Sequence, residues 1–172
     1  MRVPVAVVSL FALSWLAVAC RPGESSWEMH PDHAGAVRFG MPAAEAQRAL
    51  GDTSSIAATG CTYWRPATAP RSVSFMVENG IVVRADVDST AAPPKTAEGI
   101  GIGSTEAAIR AAYGEHITIQ LHKYQWEAGW RYFIYLPPQD SLNAIVFETD
   151  GRLVRGYRIG RRPQVEYAER CG

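Results

Sequence analysis

From Val73 to Val87 the chain reads VSFMVENGIVVRADV. Apolar residues fall at every second position, first Val73, Phe75 and Val77, then Ile81, Val83, Ala85 and Val87. A period of two sets such residues on one face of a pleated strand. Between the runs, Asn79-Gly80 supplies the two residues that a tight hairpin turn favours. The same alternation predicts strands over Cys61–Arg65, Ser72–Glu78, Ile81–Asp88, Ile117–Tyr124, Trp130–Leu136, Ala144–Glu148 and Leu153–Ile159, with Asp150-Gly151 as a second tight turn.

Two segments change the period. Phe39–Gly51 reads FGMPAAEAQRALG and Ile102–Gly114 reads IGSTEAAIRAAYG. Ala46, Ala49 and Leu50 in one, and Ile109, Ala112 and Tyr113 in the other, recur at helical spacing. Pro42 suits a first helical turn, and Ser104 suits an N-cap with Glu106 beside it. Gly51 and Gly114 stand where a left-handed C-terminal cap is wanted. Aligned, Gly40 meets Gly103, Ala44 meets Ala107, Ala49 meets Ala112 and Gly51 meets Gly114. The predicted fold is therefore α+β: two tandem helix-plus-antiparallel-strand units, about 37–88 and 100–160, sharing one sheet with the helices on one face. Ser89–Gly99, rich in Pro and Ala, is the connector.

Residues 1–19 have the build of a secretory signal, with Arg2 before an apolar run and Ala17-Val18-Ala19 before a cut. Cys20 follows, and this junction resembles the lipobox of bacterial lipoproteins, although Ala17 stands where a large aliphatic residue is usual. The resemblance implies a lipidated Cys20. Ordinary cleavage, leaving an unlipidated Cys20, is the alternative. Arg21 rather than Asp after the cysteine resembles the pattern for passage to the outer membrane, facing the periplasm. Residues 20–35 then read as a tether, and 36–172 as one domain ending in a C-terminal tail. With Cys20 carrying lipid, Cys61 and Cys171 form an even pair, which an oxidising compartment would join as a disulfide. Two buried free thiols are the alternative.

Charge narrows the classes of partner. Seventeen Lys and Arg balance 17 Asp and Glu, so nothing predicts nucleic acid. The glycine-rich Gly99–Ser104 stretch lacks the lysine of a P-loop and the parallel unit of a dinucleotide site. No nucleophile elbow or His-Glu-x-x-His motif occurs. His30, Asp32 and His33 are close in sequence but too few for a rigid zinc site. No catalytic residue, metal or cofactor is expected. A binding surface is: Tyr124, Trp126, Trp130 and Tyr132 alternate across a turn at Glu127–Gly129, and Arg152, Arg155 and Arg158 crowd the last hairpin. Aromatic and arginine side chains dominate binding hot spots. A solvated strand face is the plainer reading of those arginines.

A helix opening as Gly40-Met41 with Glu45 and closing as Leu50-Gly51, followed by a meander, resembles the repeat of the β-lactamase-inhibitor-protein-like fold. The same fold occurs in the SmpA/OmlA-type lipoprotein of the β-barrel assembly machine. The second copy departs, with Ser104, Ala108 and Tyr113 at the Met, Glu and Leu positions. The tail from Phe147 to Cys171 is also similar to that of uncharacterised envelope lipoproteins. The resemblance implies a non-enzymatic binding module that engages a protein, as inhibitor or scaffold, through a sheet face. A glycan- or peptidoglycan-binding module is the alternative, and a hydrolytic enzyme the least favoured.

Overall fold

All seven strands that the alternation predicts are present in the computed structural model, which describes residues 27–88 and 92–171. They are β4 (Cys61–Trp64), β5 (Val73–Glu78), β6 (Ile81–Val87), β7 (Ile117–Leu121), β8 (Arg131–Tyr135), β9 (Asn143–Thr149) and β10 (Val154–Arg161). They form one sheet in the order β4-β5-β6-β10-β9-β8-β7, antiparallel throughout. Asn79 and Gly80 both take positive φ, 50° and 77°, as the β5–β6 turn requires. Two helices, α1 (Ala43–Leu50) and α2 (Glu106–Tyr113), pack Ala43, Ala46, Ile109 and Tyr113 onto the same sheet face. There they meet Phe75, Ala85, Phe133, Phe147, Tyr157 and Ile159. Each large apolar side chain buried here stabilises the fold by roughly 1.5–3 kcal/mol.

The two helix starts dock alike. Gly40 N–H donates to Val82 O at 2.7 Å, and Val82 N–H donates to Met41 O at 3.0 Å. In the second half, Gly103 N–H donates to Val154 O and Val154 N–H to Ser104 O, both at 2.9 Å. Thus the glycines feeding the helices anchor the start of β6 and of β10. Thr105, not Ser104, caps α2, its hydroxyl accepting from Ala108 N at 3.1 Å. Ser104 Oγ accepts from Gly101 N instead. Gly51 is the expected left-handed cap, whereas Gly114 takes φ 58° with ψ −135°.

Three expectations need correction. First, the apolar phase shifts within β6. A bulge between Met76 and Val77 sets Val77 opposite Val82, so Val82, rather than Ile81 and Val83, joins the helix-side core. A Cβ on Gly160 of β10 would lie 2.4 Å from Val83 O, so only glycine fits beside the bulge. Second, the tether does not extend to Gly35. Short strands β1 (Met29–His30), β2 (His33–Ala34) and β3 (Val37–Arg38) form a three-stranded sheet, burying Met29, Ala34 and Val37 completely. Turn bonds, not periodicity, order this segment, such as Phe39 N–H to Asp32 O at 2.9 Å. Third, β7 ends at Leu121, because His122 Nδ1 accepts from the amides of Tyr124 and Gln125 and turns the chain away. The signal, Cys20 and the start of the tether lie outside the described residues.

The β9–β10 turn carries a pH dependence. Asp150 accepts from the amides of Leu153 and Arg152 and pairs with Arg155. The Leu153 amide first, and Arg155 next, hold its carboxyl down to about 2 from an ordinary 3.8. A depressed folded pKa means that this turn's contribution is complete above 3.8 and is lost as pH falls toward 2. A carboxyl titration by NMR is expected to place the Asp150 midpoint near 2, and Arg155→Ala to raise it. An ordinary midpoint in the parent chain would show the turn bonds to be absent in solution.

Candidate functional site

The face of the sheet away from the helices was expected to be an open binding surface. It is instead crossed by the chain's own tail. After β10 the backbone turns at Arg162–Pro163, a cis peptide, and makes one short helical turn at Gln164–Glu166. It then runs to Cys171, which is disulfide-bonded to Cys61 on the edge strand β4. Val165 is fully buried against Tyr132, Ile134, Ala144 and Val146.

Two buried arginines hold this tail. Arg84, on β6, is among the largest fully buried side chains. Its Nε and Nη2 donate to both carboxylate oxygens of Asp86, at 2.9 and 2.8 Å. Nη2 also donates to Tyr63 Oη at 3.0 Å, and Nη1 donates to the carbonyls of Gln164 and Tyr167, each at 2.9 Å. All five donors of the guanidinium fork are thereby used. Burial alone would lower the Arg84 pKa, but the hydrogen-bonded Asp86 carboxylate raises it further, so the group stays charged. Burial, then the Asp86 charge, pushes the Tyr63 hydroxyl up. Arg158, on β10, donates Nε to Val165 O at 2.6 Å, pairs with Glu148, and lies 5.2 Å over the Tyr132 ring. Arg170 pairs with Asp88 at 2.6 Å.

These groups surround a small cavity of about 140 Å³. Three arginines (Arg84, Arg158, Arg170) face three carboxylates (Asp86, Asp88, Glu148) there, all engaged with one another or with the tail. The arrangement is a charge-neutral clamp, with no uncompensated cation to attract an anion. Cys61, as half of a disulfide, offers no nucleophile. Among the described residues no three His, Cys, Asp or Glu side chains are grouped to hold a metal. His30 stacks on His33, and Asp32 accepts from His33 and Arg38.

The expected binding residues separate accordingly. Tyr124 (63%) and Trp126 (53%) are exposed, on the turn after β7. Trp130 is half-buried. Tyr132 and Arg158 are buried, which corrects their assignment to an open surface: both lie beneath the tail. Tyr124, Trp130 and Tyr132 gather round His122 at interplanar angles of 59°, 80° and 28°, not as one flat platform. Arg152 and Arg155 are exposed, Arg155 being paired with Asp150. Neither Arg84 nor Asp86 was singled out by the sequence pattern, although a charged pair two residues apart in an apolar strand must share one face.

What remains open to a partner is the rim of the tail-covered face. A groove of about 430 Å³ runs between β7, β8 and the tail, its apolar floor of Tyr132, Ile134 and Val146 bordered by polar and charged side chains, among them Gln120, Lys123 and Glu166. Lys123 closes one side through Glu169 at 2.5 Å, and Tyr124 Oη bonds the same carboxylate. Lys123 first, then Tyr124, hold the Glu169 carboxyl down to about 2. Tyr167 is exposed along the groove, whereas Leu121, also exposed, lies opposite Arg131 at the end of β7 in phase with the helix-side residues. Comparison with family models, with curated proteins and with solved structures finds no match to this chain.

Proposed function

We propose that this chain is a lipid-anchored, non-enzymatic binding module of the bacterial cell envelope. It is held at the outer membrane through Cys20, faces the periplasm, and engages a protein partner as an inhibitor or an assembly scaffold. The observation that carries the reading is the exposed aromatic side chains Tyr124, Trp126 and Tyr167 near a groove of mixed lining, with Tyr132, Ile134 and Val146 beside Gln120, Lys123 and Glu166. Exposed Trp and Tyr side chains of this kind are the residues that anchor binding hot spots. A disulfide between Cys61 and Cys171 fits an oxidising compartment. The clamp pairs Arg84, Arg158 and Arg170 with Asp86, Glu148 and Asp88, so these six groups serve to hold the tail.

On this reading the chain is two copies of one unit, as in the β-lactamase-inhibitor-protein-like repeat. The matched bonding of Gly40 with Val82 and of Gly103 with Val154 supports that duplication. The last strands of the two units, β6 and β10, then meet at the middle of the sheet. With the tail lying on the sheet face, the partner meets the rim instead.

The test is capture from envelope extract, followed by affinity measurement with the purified partner, comparing the parent chain with Tyr124→Ala/Trp126→Ala. Hot-spot truncations cost 2 kcal/mol or more, so the variant's Kd is expected to rise at least about 30-fold. Equal affinity in the variant, or retention on cell-wall glycan with no protein captured, would overturn the proposal. Mass spectrometry of the mature N-terminus checks the lipid on Cys20.

A further inference from the structure

Away from the rim aromatics, β7 forms the outer edge of the large sheet. His122 N–H donates to Trp130 O, and Leu136 N–H donates to His116 O, at 3.1 and 3.2 Å. With the register Ile117↔Tyr135, Ile119↔Phe133 and Leu121↔Arg131, antiparallel alternation assigns the even-numbered amides of β7 to β8. The N–H and C=O groups of Ile117, Ile119 and Leu121 therefore point away from the sheet. Among the described residues no strand pairs with this edge.

Edge strands in natural proteins are shielded by charge, proline, bulges or shortness. The opposite edge follows this rule. β4 has four residues, carries the disulfide, and runs straight into Arg65-Pro66. β7 does not follow it. It contains no charge and no proline, and its pairing with β8 has no register shift. Ile119 and Leu121 are exposed, the latter at 71%. Such an edge calls for a covering strand.

The sequence says which strand. His116–His122 reads HITIQLH, the same chemical order in both directions about Ile119. We infer that β7 pairs antiparallel with β7 of a second copy about a two-fold axis through Ile119. Ile119 then faces Ile119 of the partner subunit, Ile117 faces Leu121 of the partner subunit, and Thr118 faces Gln120 of the partner subunit. Apolar residues meet apolar residues on the helix side, and polar residues meet polar residues on the tail side. In this register the outward groups of all three odd positions are in hydrogen-bonded pairs, each exchanging two bonds, about six in all. A two-fold contact closes on itself and gives a dimer with a continuous sheet rather than a fibre.

The test uses the full chain in mild detergent. The parent is expected to sediment as a dimer. Ile119→Lys, which sets two ammonium groups against each other at the axis, is expected to weaken dimerisation at least tenfold. The register is checked by cross-linking under mild oxidation. At the axis the two Cα atoms of position 119 are about 5.5 Å apart, within disulfide reach, so Ile119→Cys is expected to yield a covalent dimer. The two copies of position 121 lie about 13 Å apart at roughly 3.3 Å per residue, so Leu121→Cys should not. A parent that is monomeric at every concentration, or equal cross-linking of both variants, would overturn the inference. Binding of an extended peptide to monomeric parent would also overturn it, by assigning the edge to another protein. Tyr124→Ala/Trp126→Ala is expected to leave the dimer intact, so the failure of one proposal is separable from the failure of the other.

Discussion

Arg84→Met is expected to lower the unfolding free energy by about 3–5 kcal/mol, the usual consequence of removing one member of a buried ion pair. The loss comes from what stays behind. Asp86 would retain its carboxylate beneath the tail, with Tyr63 Oη as its remaining side-chain donor. The carbonyls of Gln164 and Tyr167 would lose their Nη1 donor at the same time. Leaving buried acceptors unmade costs more than a hydrogen bond contributes when present. Denaturation in urea measures the loss, and the origin is separable: Arg84→Met/Asp86→Leu should recover part of it, because the orphaned charge is gone. A single-variant loss below about 1 kcal/mol, in the range of exposed pairs, would show that water reaches the clamp. Hydrogen exchange in residues 162–170 should rise in Arg84→Met while β5 amides remain protected, which ties the effect to the tail.

That clamp also marks where the sequence ceased to be legible. A period of two located the seven strands of the large sheet, because alternate side chains of most of them enter the helix-side core, and Asn79-Gly80 and Asp150-Gly151 favour tight turns; β1, β2 and β3, two residues each, are too short to show a period. The glycine pairs framing α1 and α2 placed both helices. The opposite face carried a misleading signal. Arg84 in β6 and Arg158 in β10 alternate with apolar residues, as solvated side chains do, yet both are buried because an aperiodic tail lies on them. Nothing in the local pattern of residues 162–171 gives its direction. The one long-range clue was cysteine parity, since a bond from Cys171 to the edge strand β4 obliges the tail to traverse the sheet from β10. The same reasoning explains the candidate surface. Tyr132 lies far enough inside β8 to be covered, whereas Tyr124 and Trp126 sit on the turn where pairing ends and remain outside. Register fine structure was beyond reach as well. The β6 bulge exchanges Val83 for Val82 in the core, and a residue count of one cannot be read from alternating hydrophobicity.

Replacing both bridging cysteines, Cys61→Ser/Cys171→Ser, is expected to cost about 2–5 kcal/mol, the upper end set by the chain entropy of a loop of this size. The bond separates positions 110 residues apart, so it excludes most expanded conformations of the unfolded chain. In this account the effect lies in the unfolded state, and the folded tail should hardly change. Arg84 and Arg158 still grip the carbonyls of Gln164, Val165 and Tyr167, and Arg170 still meets Asp88. Tail amides should therefore stay protected in the cysteine variant, the reverse of Arg84→Met, in which the bond persists and the grip is lost. Combining the two tests the shared element. With neither the bond nor the Arg84 contacts, the tail is held by Arg158, Arg170 and the packing of Val165 and leaves more readily, so water reaches Asp86 and the penalty of a buried charge falls. The combined loss in unfolding free energy is accordingly expected to fall short of the sum of the two, as for any pair of changes acting on one element. Proteolysis should then cut within residues 162–171 while the sheet survives, and a dye that reports apolar surface should bind where Ile134, Ala144 and Val146 lose the cover of Val165. Strict additivity with a protected tail would mean that the disulfide and the Arg84 contacts act independently and that the remaining contacts keep the tail docked without either.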